Sequence, residues 1–510
     1  NLMLSGRIIT ARAAKKIRLI DEMVPLRQLK AAAEHYALTA PKRKKLPLLA
    51  RLSGSALLRP LVAEQMRKQV AAKAKAEHYP APYALIGLWK KYASNKQKML
   101  EQEALTVARL ATTDSAHNLV RVFLLQESLK NAGKQNNFPV AHVHVIGGGI
   151  MGGDIASWCA IQGYSVSVQD QDPAKLAKTI KRAQYSFKKK FKANRRAIRN
   201  ANDRLLADVR GAGLYSADIV IEAIFEDIET KRKLYQAIEP KLKHGAIIAT
   251  NTSSIKLEDL SSALQNPGRL VGLHFFNPVA LMPLVEIIRG RETDDNTVRQ
   301  ALAFAKQIGK LPLEVKSSPG FLVNRILMPY ILEAVTMVGE GIPAEVIDKA
   351  ATDYGMPMGP IELADTVGLD ICKSVAGILS EALSMPLPDN LNQLSDSKLG
   401  KKTGEGFYKY KNNKPVKNKN ARYANPQQVQ DRLILRLVNE AAACLREGIV
   451  ADSDQVDAGV IFGTGFAPFR GGPLHYIKRR GADKLSQTLA ALQSEFGERF
   501  EKDAGWSNID

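Results

Sequence analysis

Short apolar runs alternate with helical patterns through the middle of the chain. Six runs rich in valine and isoleucine are separated by longer amphipathic stretches. The runs lie at residues 143–146, 166–168, 218–223, 246–250, 270–274 and 283–288. Strands that alternate with helices at this spacing predict an α/β fold, with a parallel sheet covered by helices on both faces.

From about residue 319 the strand pattern stops and a helical pattern takes over, and this pattern repeats. The order of residues between Asn324 and Pro360 returns between Asp431 and Pro473. In each copy an arginine near the start is followed by Glu-Ala and then by Glu-Gly-Ile. The repeat predicts two helical modules that pack as a pseudo-symmetric pair.

The chain before the first strand has a different character. Residues 1–25 predict a short helical segment and then an apolar, strand-like stretch that ends at Pro25. Residues 26–135 are helix-rich and basic, and the polar segment 131–137 is the best linker candidate. The predicted division of the chain is 1–30, 31–138, 139–318, 319–415 and 416–510.

The charge of the chain is strongly basic and unevenly spread. The 510 residues are 45% hydrophobic and 24% charged, which excludes a wholly disordered chain, and the net charge is +22. Residues 1–140 hold 25 Lys/Arg against 9 Asp/Glu, and residues 175–200 hold 11 basic residues and no acid. Such a surplus indicates either polyanionic partners or a solvated surface. Because no zinc-finger spacing or aromatic RNA-binding motif is present, no nucleic acid partner is expected, while peripheral contact with an anionic membrane stays open.

Three widely separated cysteines, Cys159, Cys372 and Cys444, form no CxxC pair. This usage is typical of a reducing compartment. No run approaches the ~18–20 apolar residues of a membrane span. No metal site is predicted.

A glycine-rich turn follows the first strand. Gly147, Gly149 and Gly152 stand between a predicted strand and a predicted helix, and Asp170 ends the next strand. The glycines permit a tight turn, close approach to a pyrophosphate and close helix–strand packing. A carboxylate at the Asp170 position accepts from the ribose 2′-hydroxyl and repels a 2′-phosphate, so the pattern predicts NAD as the cofactor.

Two ionisable residues follow on later strands. His274 lies at the end of the run 270–274, where side chains of an α/β sheet face the ligand crevice. Glu286 lies inside an apolar strand, where an acid is costly to bury without a partner. A His–Glu pair is the natural explanation, with the histidine as general base. The segment Thr250–Ser254 ends another strand, and its hydroxyls and amides could hold a substrate oxygen or the nicotinamide.

From residue 142 to about 480 these motifs resemble the L-3-hydroxyacyl-CoA dehydrogenase family. The resemblance rests on Thr250-Asn251-Thr252-Ser253-Ser254, His274-Phe275-Phe276-Asn277-Pro278 and Gly320-Phe321-Leu322-Val323-Asn324-Arg325 at their mutual spacing. Over nearly the whole chain the sequence resembles the multifunctional α subunits of fatty acid oxidation, in which the helical module is duplicated. The resemblance implies a Rossmann-type NAD-binding domain followed by a duplicated all-α dehydrogenase domain. It also implies NAD-dependent oxidation of L-3-hydroxyacyl-CoA to 3-oxoacyl-CoA in β-oxidation.

The resemblance also implies roles for single residues. The catalytic residues would be His274 as base, Glu286 as its partner, Ser253 and Asn324, with Ser253, Asn324 and Phe462 near the substrate. The cofactor contacts would be Gly147, Gly149, Met151, Gly152, Asp170, Ile224, Phe225, Glu226, Lys231, Ser253, Asn277 and Lys402. The basic block at 175–200 would lie where the helical arm of the family approaches the nucleotide end of CoA.

Two positions depart from the family pattern. The family commonly has glycine where this chain has Asp154. A carboxylate there suits the helix dipole, but it would crowd or repel the pyrophosphate, which predicts weaker cofactor binding. Phe462 replaces a tyrosine that is common near the substrate, so a hydroxyl is lost.

Residues 1–30 resemble the last part of a crotonase-like enoyl-CoA hydratase domain, through residues 4–11 and 20–25. The catalytic glutamates of that family would precede Asn1, so no hydratase activity is expected from this chain, although a full-length protein would be expected to have it. Three alternatives stay open. The chain could be a short-chain 3-hydroxybutyryl-CoA dehydrogenase or a part of a multifunctional protein that is mainly a lyase. The basic N-terminal part could also make it a membrane- or nucleic-acid-associated module. The expected partners are acyl-CoA and a thiolase β subunit, and a homo-oligomer is left open. The expected location is the cytoplasm of a bacterium, or the mitochondrial matrix in a eukaryote.

Overall fold

An eight-stranded sheet organises the middle of the chain in the computed structural model. The described residues are 2–6, 8–40, 52, 54–133, 138–383, 387–392 and 397–509. The strands are β1 (His142–Ile146), β2 (Ser165–Gln169), β3 (Leu205–Asp208), β4 (Ile219–Glu222), β5 (Ile247–Thr250), β6 (Leu270–Phe275), β7 (Leu284–Arg289) and β8 (Leu311–Lys316). Their order in the sheet is β3-β2-β1-β4-β5-β6-β7-β8.

The sheet is parallel except where β7 pairs antiparallel with β6. The sequence predicts a parallel sheet, and the antiparallel β6–β7 pair departs from that prediction. The connection between the two strands, residues 276–283, is too short for the crossover that parallel neighbours need, so the chain turns straight back. This reversal places His274 directly opposite Glu286.

Two edge strands lack a sequence signal. In β3 only Leu205 is buried, so no apolar run marks it. β8 contains Pro312, which normally argues against a strand but is tolerated at the edge of a sheet.

The helices within the described residues alternate with these strands and then replace them. Those before the sheet are α1 (Leu2–Ser5), α2 (Ala11–Lys16), α3 (Leu29–Thr39), α4 (Arg59–Ala71), α5 (Pro80–Tyr92), α6 (Lys96–Ala111) and α7 (Asp114–Ala132). Those among the strands are α8 (Ile150–Gln162), α9 (Pro173–Phe191), α10 (Arg195–Asp203), α11 (Ile228–Ile238), α12 (Leu257–Ser261) and α13 (Asp295–Gln307). Those after the sheet are α14 (Val323–Gly339), α15 (Ala344–Tyr354), α16 (Pro360–Val367), α17 (Leu369–Leu383), α18 (Asp389–Asn392), α19 (Pro426–Arg446), α20 (Ser453–Thr464), α21 (Pro473–Arg480) and α22 (Ala482–Phe496). A two-stranded ribbon, β9 (Tyr410–Lys411) with β10 (Lys414–Pro415), interrupts this helical part.

The chain forms two units, Asn1–His117 and Asn118–Asp510. In the first unit the strand-like stretch predicted up to Pro25 is not a strand, because residues 17–25 form turns and irregular backbone. The predicted linker 131–137 lies partly outside the described residues, and its first two residues end α7. The predicted division of the chain into five segments stays a prediction.

The two helical modules contact each other through reciprocal ion pairs. Arg325 on α14 pairs with Glu440 at 2.8 Å and with Glu447. The equivalent residue on α19, Arg432, pairs with Glu333 and Glu340 at 2.6 Å each. Each arginine of one copy therefore binds the two glutamates of the other. This exchange is the contact expected of a pseudo-two-fold pair, and it agrees with the duplication predicted from the sequence.

Candidate active site

The glycine-rich turn joins β1 to α8 and leaves an open surface. A Cβ on Gly147, whose φ is +113°, would lie 2.4 Å from the carbonyl oxygen of Ala223. A Cβ on Gly152 would lie 2.0 Å from the carbonyl oxygen of Gly147. At Gly149, by contrast, a Cβ would meet no heavy atom of the described residues within 4 Å. The first and third glycines therefore permit close packing, and the second presents bare backbone at the start of a helix, which fits a pyrophosphate.

Asp170 lies beside this turn at the end of β2. Its Oδ2 accepts from the amide of Gly148 at 2.8 Å, and its Oδ1 accepts from the amide of Asp172 at 2.9 Å. Both contacts hold the carboxylate next to the glycine-rich turn. Met151 is half-buried in the first turn of α8, directly after the glycine-rich turn.

Lys231 belongs to a buried network of side chains beside the loop that follows β4. Its side chain is 1% exposed, and its Nζ lies 2.6 Å from Oε1 of Glu222 and 3.4 Å from Oε2 of Glu226. The amine thus bridges two carboxylates. Of the other predicted contacts on this loop, Ile224 is half-buried and Phe225 is 69% exposed.

Glu222 anchors the network and was not predicted from the sequence. It ends β4 fully buried, and its carboxylate accepts from the amide of Ile224, Nζ of Lys231 and the hydroxyls of Tyr235 and Thr250. An acid inside the apolar run 218–223 was the available signal, since the same reasoning identified Glu286.

Glu226 connects this network to the loop after β5. Its Oε1 accepts from the Thr252 hydroxyl, from the amide of Ser253 at 2.8 Å and from the amide of Ser254 at 3.2 Å. Burial raises the pKa of Glu226, but Lys231 and these donors outweigh burial, and the pKa is lowered from 4.5. The carboxylate therefore stays ionised and holds the backbone around Ser253.

His274 and Glu286 form a buried pair across β6 and β7. Nδ1 of His274 lies 2.7 Å from Oε2 of Glu286, and the two side chains are 6% and 0% exposed. Because an ionised carboxylate only accepts hydrogen bonds, Nδ1 carries the proton and Nε2 is the basic nitrogen. The rings of Phe276 and Phe321 pack at 4.6 and 5.7 Å from the imidazole ring.

The second oxygen of Glu286 binds the start of the helical part. Oε1 accepts from the amides of Leu322 and Val323 at 3.1 and 3.0 Å, where α14 begins. These donors could not be predicted from the sequence, because every residue except proline has a backbone amide and no side chain marks the ones that bind Glu286. The carboxylate is thereby held by three donors, and the helix N-terminus favours its negative charge.

Asparagines join the loop after β5 to both sides of this pair. Oδ1 of Asn251 accepts from the amide of Phe275 at 2.9 Å, and Nδ2 of Asn324 donates to the carbonyl of Ser253 at 3.2 Å. Ser253 and Asn324 are therefore neighbours. Asn277 is exposed just beyond β6, and its bond to Pro278 is cis.

Two predicted contacts lie in the helical part. Phe462 is half-buried on α20, whose Gly463 approaches Val323 so closely that a Cβ would lie 2.7 Å from the valine side chain. This brings α20 to the start of α14. Lys402 instead pairs with Asp370 on α17, and none of the contacts among described residues joins it to the glycine-rich turn.

Asp154, on α8 just after the glycine-rich turn, is paired with an arginine. Its Oδ1 accepts from Nε of Arg182 at 3.0 Å. The sequence-based expectation that Asp154 repels the pyrophosphate took only its own charge into account. The residues around the glycine-rich turn gave no sign that Arg182 on α9 pairs with it.

Comparison with known proteins agrees with this geometry. Residues 142–318 match the family model for the NAD binding domain of 3-hydroxyacyl-CoA dehydrogenase, and residues 320–410 match the model for its C-terminal domain. A fatty acid oxidation complex subunit alpha from Shewanella baltica is 36% identical over 98% of this chain and 75% of that protein. The corresponding subunit of Shewanella loihica is 34% identical over 98% of this chain and 74% of that protein.

Solved structures show the same relationship. A 3-hydroxybutyryl-CoA dehydrogenase from Escherichia coli superposes with a TM-score of 0.64 at 25% identity, covering 73% of this chain and 98% of that chain. The dehydrogenase part of a multifunctional enzyme from C. elegans gives 0.55 at 26% identity, covering 78% of this chain and 99% of that chain. An (S)-3-hydroxybutyryl-CoA dehydrogenase from Ralstonia eutropha gives 0.51 at 37% identity, covering 54% of this chain and all of that chain.

The fold, the glycine-rich turn and the His–Glu pair together define an NAD-dependent dehydrogenase of 3-hydroxyacyl-CoA. Within that class, the chain belongs to the family of fatty acid oxidation complex α subunits, and its reaction is a step of β-oxidation. Among the described residues, no helix is both long enough and apolar enough to cross a membrane. No cluster of three or more potential metal-binding His, Cys, Asp or Glu side chains occurs in the same part of the chain.

Proposed function

We propose that His274 is the general base that removes the proton from the 3-hydroxyl of the substrate. The pair that it forms with Glu286 carries this proposal, because the 2.7 Å contact leaves Nε2 as the basic nitrogen. As the proton arrives at Nε2 the ring becomes positive, and the buried carboxylate of Glu286 stabilises that charge. NAD, when bound, supplies the acceptor for the hydride that leaves C3 of the substrate.

The other predicted residues position the reactants. Gly147, Gly149, Gly152 and Asp170 would hold the cofactor at the turn after β1. Ser253 would lie between the nicotinamide and the substrate hydroxyl, and the contact from Asn324 to the Ser253 carbonyl keeps both residues at one site. Lys231 would act by fixing Glu226, since its amine bridges two carboxylates.

Formation of NADH from L-3-hydroxybutyryl-CoA and NAD tests the proposal. The unaltered chain should produce NADH, and His274→Ala should lose nearly all activity while it keeps its affinity for NAD. His244→Ala, in an exposed turn, is the matched control and should behave like the unaltered chain. Equal activity of His274→Ala and the control would refute the assignment of the base.

The relatives differ in the length of the acyl chain that their names imply. Two of the similar structures are 3-hydroxybutyryl-CoA dehydrogenases, whereas the similar sequences are subunits of fatty acid oxidation complexes. We propose activity on long as well as short acyl chains. The ratio of kcat/KM for C16 and C4 acyl-CoA substrates distinguishes this proposal from a short-chain 3-hydroxybutyryl-CoA dehydrogenase. Activity confined to the C4 substrate would favour the short-chain enzyme.

We also propose a thiolase β subunit as partner, which fits the name that the relatives carry as subunits of a complex. Co-expression with a thiolase β subunit followed by size-exclusion chromatography tests this, and separate elution would contradict it. A bacterial cytoplasmic location is proposed because the relatives are bacterial and the three cysteines are free thiols.

A further inference from the structure

Helix α9 lies against the first turn of α8 and contacts the backbone of the glycine-rich turn. The hydroxyl of Thr179 donates to the carbonyl of Gly148. Nη2 of Arg182 donates to the carbonyl of Gly149 at 2.7 Å and to that of Ile150 at 3.2 Å. Three successive carbonyls of the turn are therefore bound by one helix.

Asp154 completes this arrangement from α8. Its carboxylate accepts from Nε of Arg182 at 3.0 Å, and the side chains of Asp154 and Arg182 are 27% and 35% exposed. Gly153 makes the contact possible, because a Cβ there would lie 2.4 Å from Nη2 of Arg182 and 2.7 Å from Cγ2 of Thr179.

The charges of this pair matter for an anionic ligand. The start of α8 favours anions through its free amides and its dipole. A lone carboxylate in the second turn would oppose a pyrophosphate bound at the start of α8, since like charges repel and a partly desolvated surface screens them poorly. Arg182 cancels the charge of Asp154 at the place where that opposition would arise.

We propose that Arg182 is a positioning residue for NAD binding, and that it acts by neutralising Asp154 beside the pyrophosphate. This inference rests on the proposed use of the glycine-rich turn as the NAD site. It explains how the chain carries an aspartate at a position where a carboxylate alone would disfavour the cofactor. It also assigns one member of the basic block 175–200 to the cofactor.

The test is calorimetric titration with NAD, ADP-ribose and adenosine. Arg182→Gln should weaken NAD and ADP-ribose about tenfold, as expected for one uncompensated charge near the surface, and the loss should grow at low salt. Adenosine, which lacks phosphate, should bind as before and shows that the variant is folded. The double variant Asp154→Asn/Arg182→Gln should recover to within about threefold of the unaltered chain, because the charge to be cancelled is gone and only the bonds of Arg182 to the carbonyls of Gly149 and Ile150 stay lost.

Controls separate this inference from the proposed cofactor site. Arg299→Gln, on the exposed face of α13, is the matched arginine control and should bind NAD normally. If Asp170→Ala leaves NAD affinity unchanged, the proposed cofactor site itself is wrong. If Asp170→Ala weakens NAD but Arg182→Gln does not, or if the double variant stays as weak as Arg182→Gln, only the charge-neutralising role of Arg182 is overturned.

Discussion

Replacing Glu286 by glutamine tests the centre of the site with little change in shape. The glutamine oxygen can still accept from the amides of Leu322 and Val323, so the start of α14 keeps its anchor. The glutamine NH2 group, however, can only donate to Nδ1 of His274. The proton of the imidazole would then move to Nε2, and the nitrogen that should take the substrate proton would already carry one.

The magnitude follows from the charge that is lost. Two unit charges about 4 Å apart interact by about 4 kcal/mol at an effective dielectric constant near 20. That is the stabilisation the carboxylate gives to the imidazolium, and its loss lowers the rate by about 10³-fold. The wrong tautomer adds to this, and in serine proteases the equivalent Asp-to-Asn change costs about 10⁴-fold. We therefore expect kcat of Glu286→Gln to fall by about 10³- to 10⁴-fold.

Steady-state NADH production measures kcat and KM, and calorimetry measures NAD affinity. NAD affinity should change little, because Glu286 lies on β7, away from the glycine-rich turn after β1. Glu314→Gln on the neighbouring strand, whose carboxylate pairs with Arg289 at 2.6 Å, is the matched control and should keep normal activity. A loss in kcat below about tenfold for Glu286→Gln would refute the account of the tautomer and the charge.

Three further expectations concern buried charges. Glu222→Gln leaves the amine of Lys231 without its nearer carboxylate, so the free energy of unfolding in urea should fall by about 3 kcal/mol. Arg325→Met and Arg432→Met should each lower the free energy of unfolding by about 3–5 kcal/mol. Only Arg325→Met should also lower kcat, because Arg325 lies on α14, whose first amides bind Glu286. Burial lowers the pKa of the Lys310 amine from 10.5 to about 8. Between about pH 8 and pH 10.5 the amine is therefore protonated in the unfolded chain but not in the folded one, so the free energy of unfolding should rise with pH. Lys310→Met should abolish that rise, and a parallel pH profile for the two chains would contradict the reasoning.

Local residue patterns were enough to predict much of this protein. Strands and helices were predicted from apolar periodicity, which depends on neighbouring residues alone. The glycine-rich turn was predicted because Gly147 and Gly152 serve a backbone geometry that only glycine permits. The His274–Glu286 pair was predicted because a buried acid needs a partner. The helical repeat was predicted because the same order of residues occurs twice in the sequence.

The sequence did not reveal contacts whose partners come from distant segments or from backbone groups. The amides of Leu322 and Val323 that hold Glu286 have no side-chain signature. Arg182 is one of 11 basic residues in its block, and only the packing of α9 on α8 shows that it neutralises Asp154. The antiparallel pairing of β6 and β7 likewise depends on how a short connection folds back. The sequence thus determined most of the elements and the chemical groups. The tertiary structure decided which group faces which, because charge compensation and hydrogen bonding depend on distance in space and not on distance along the chain.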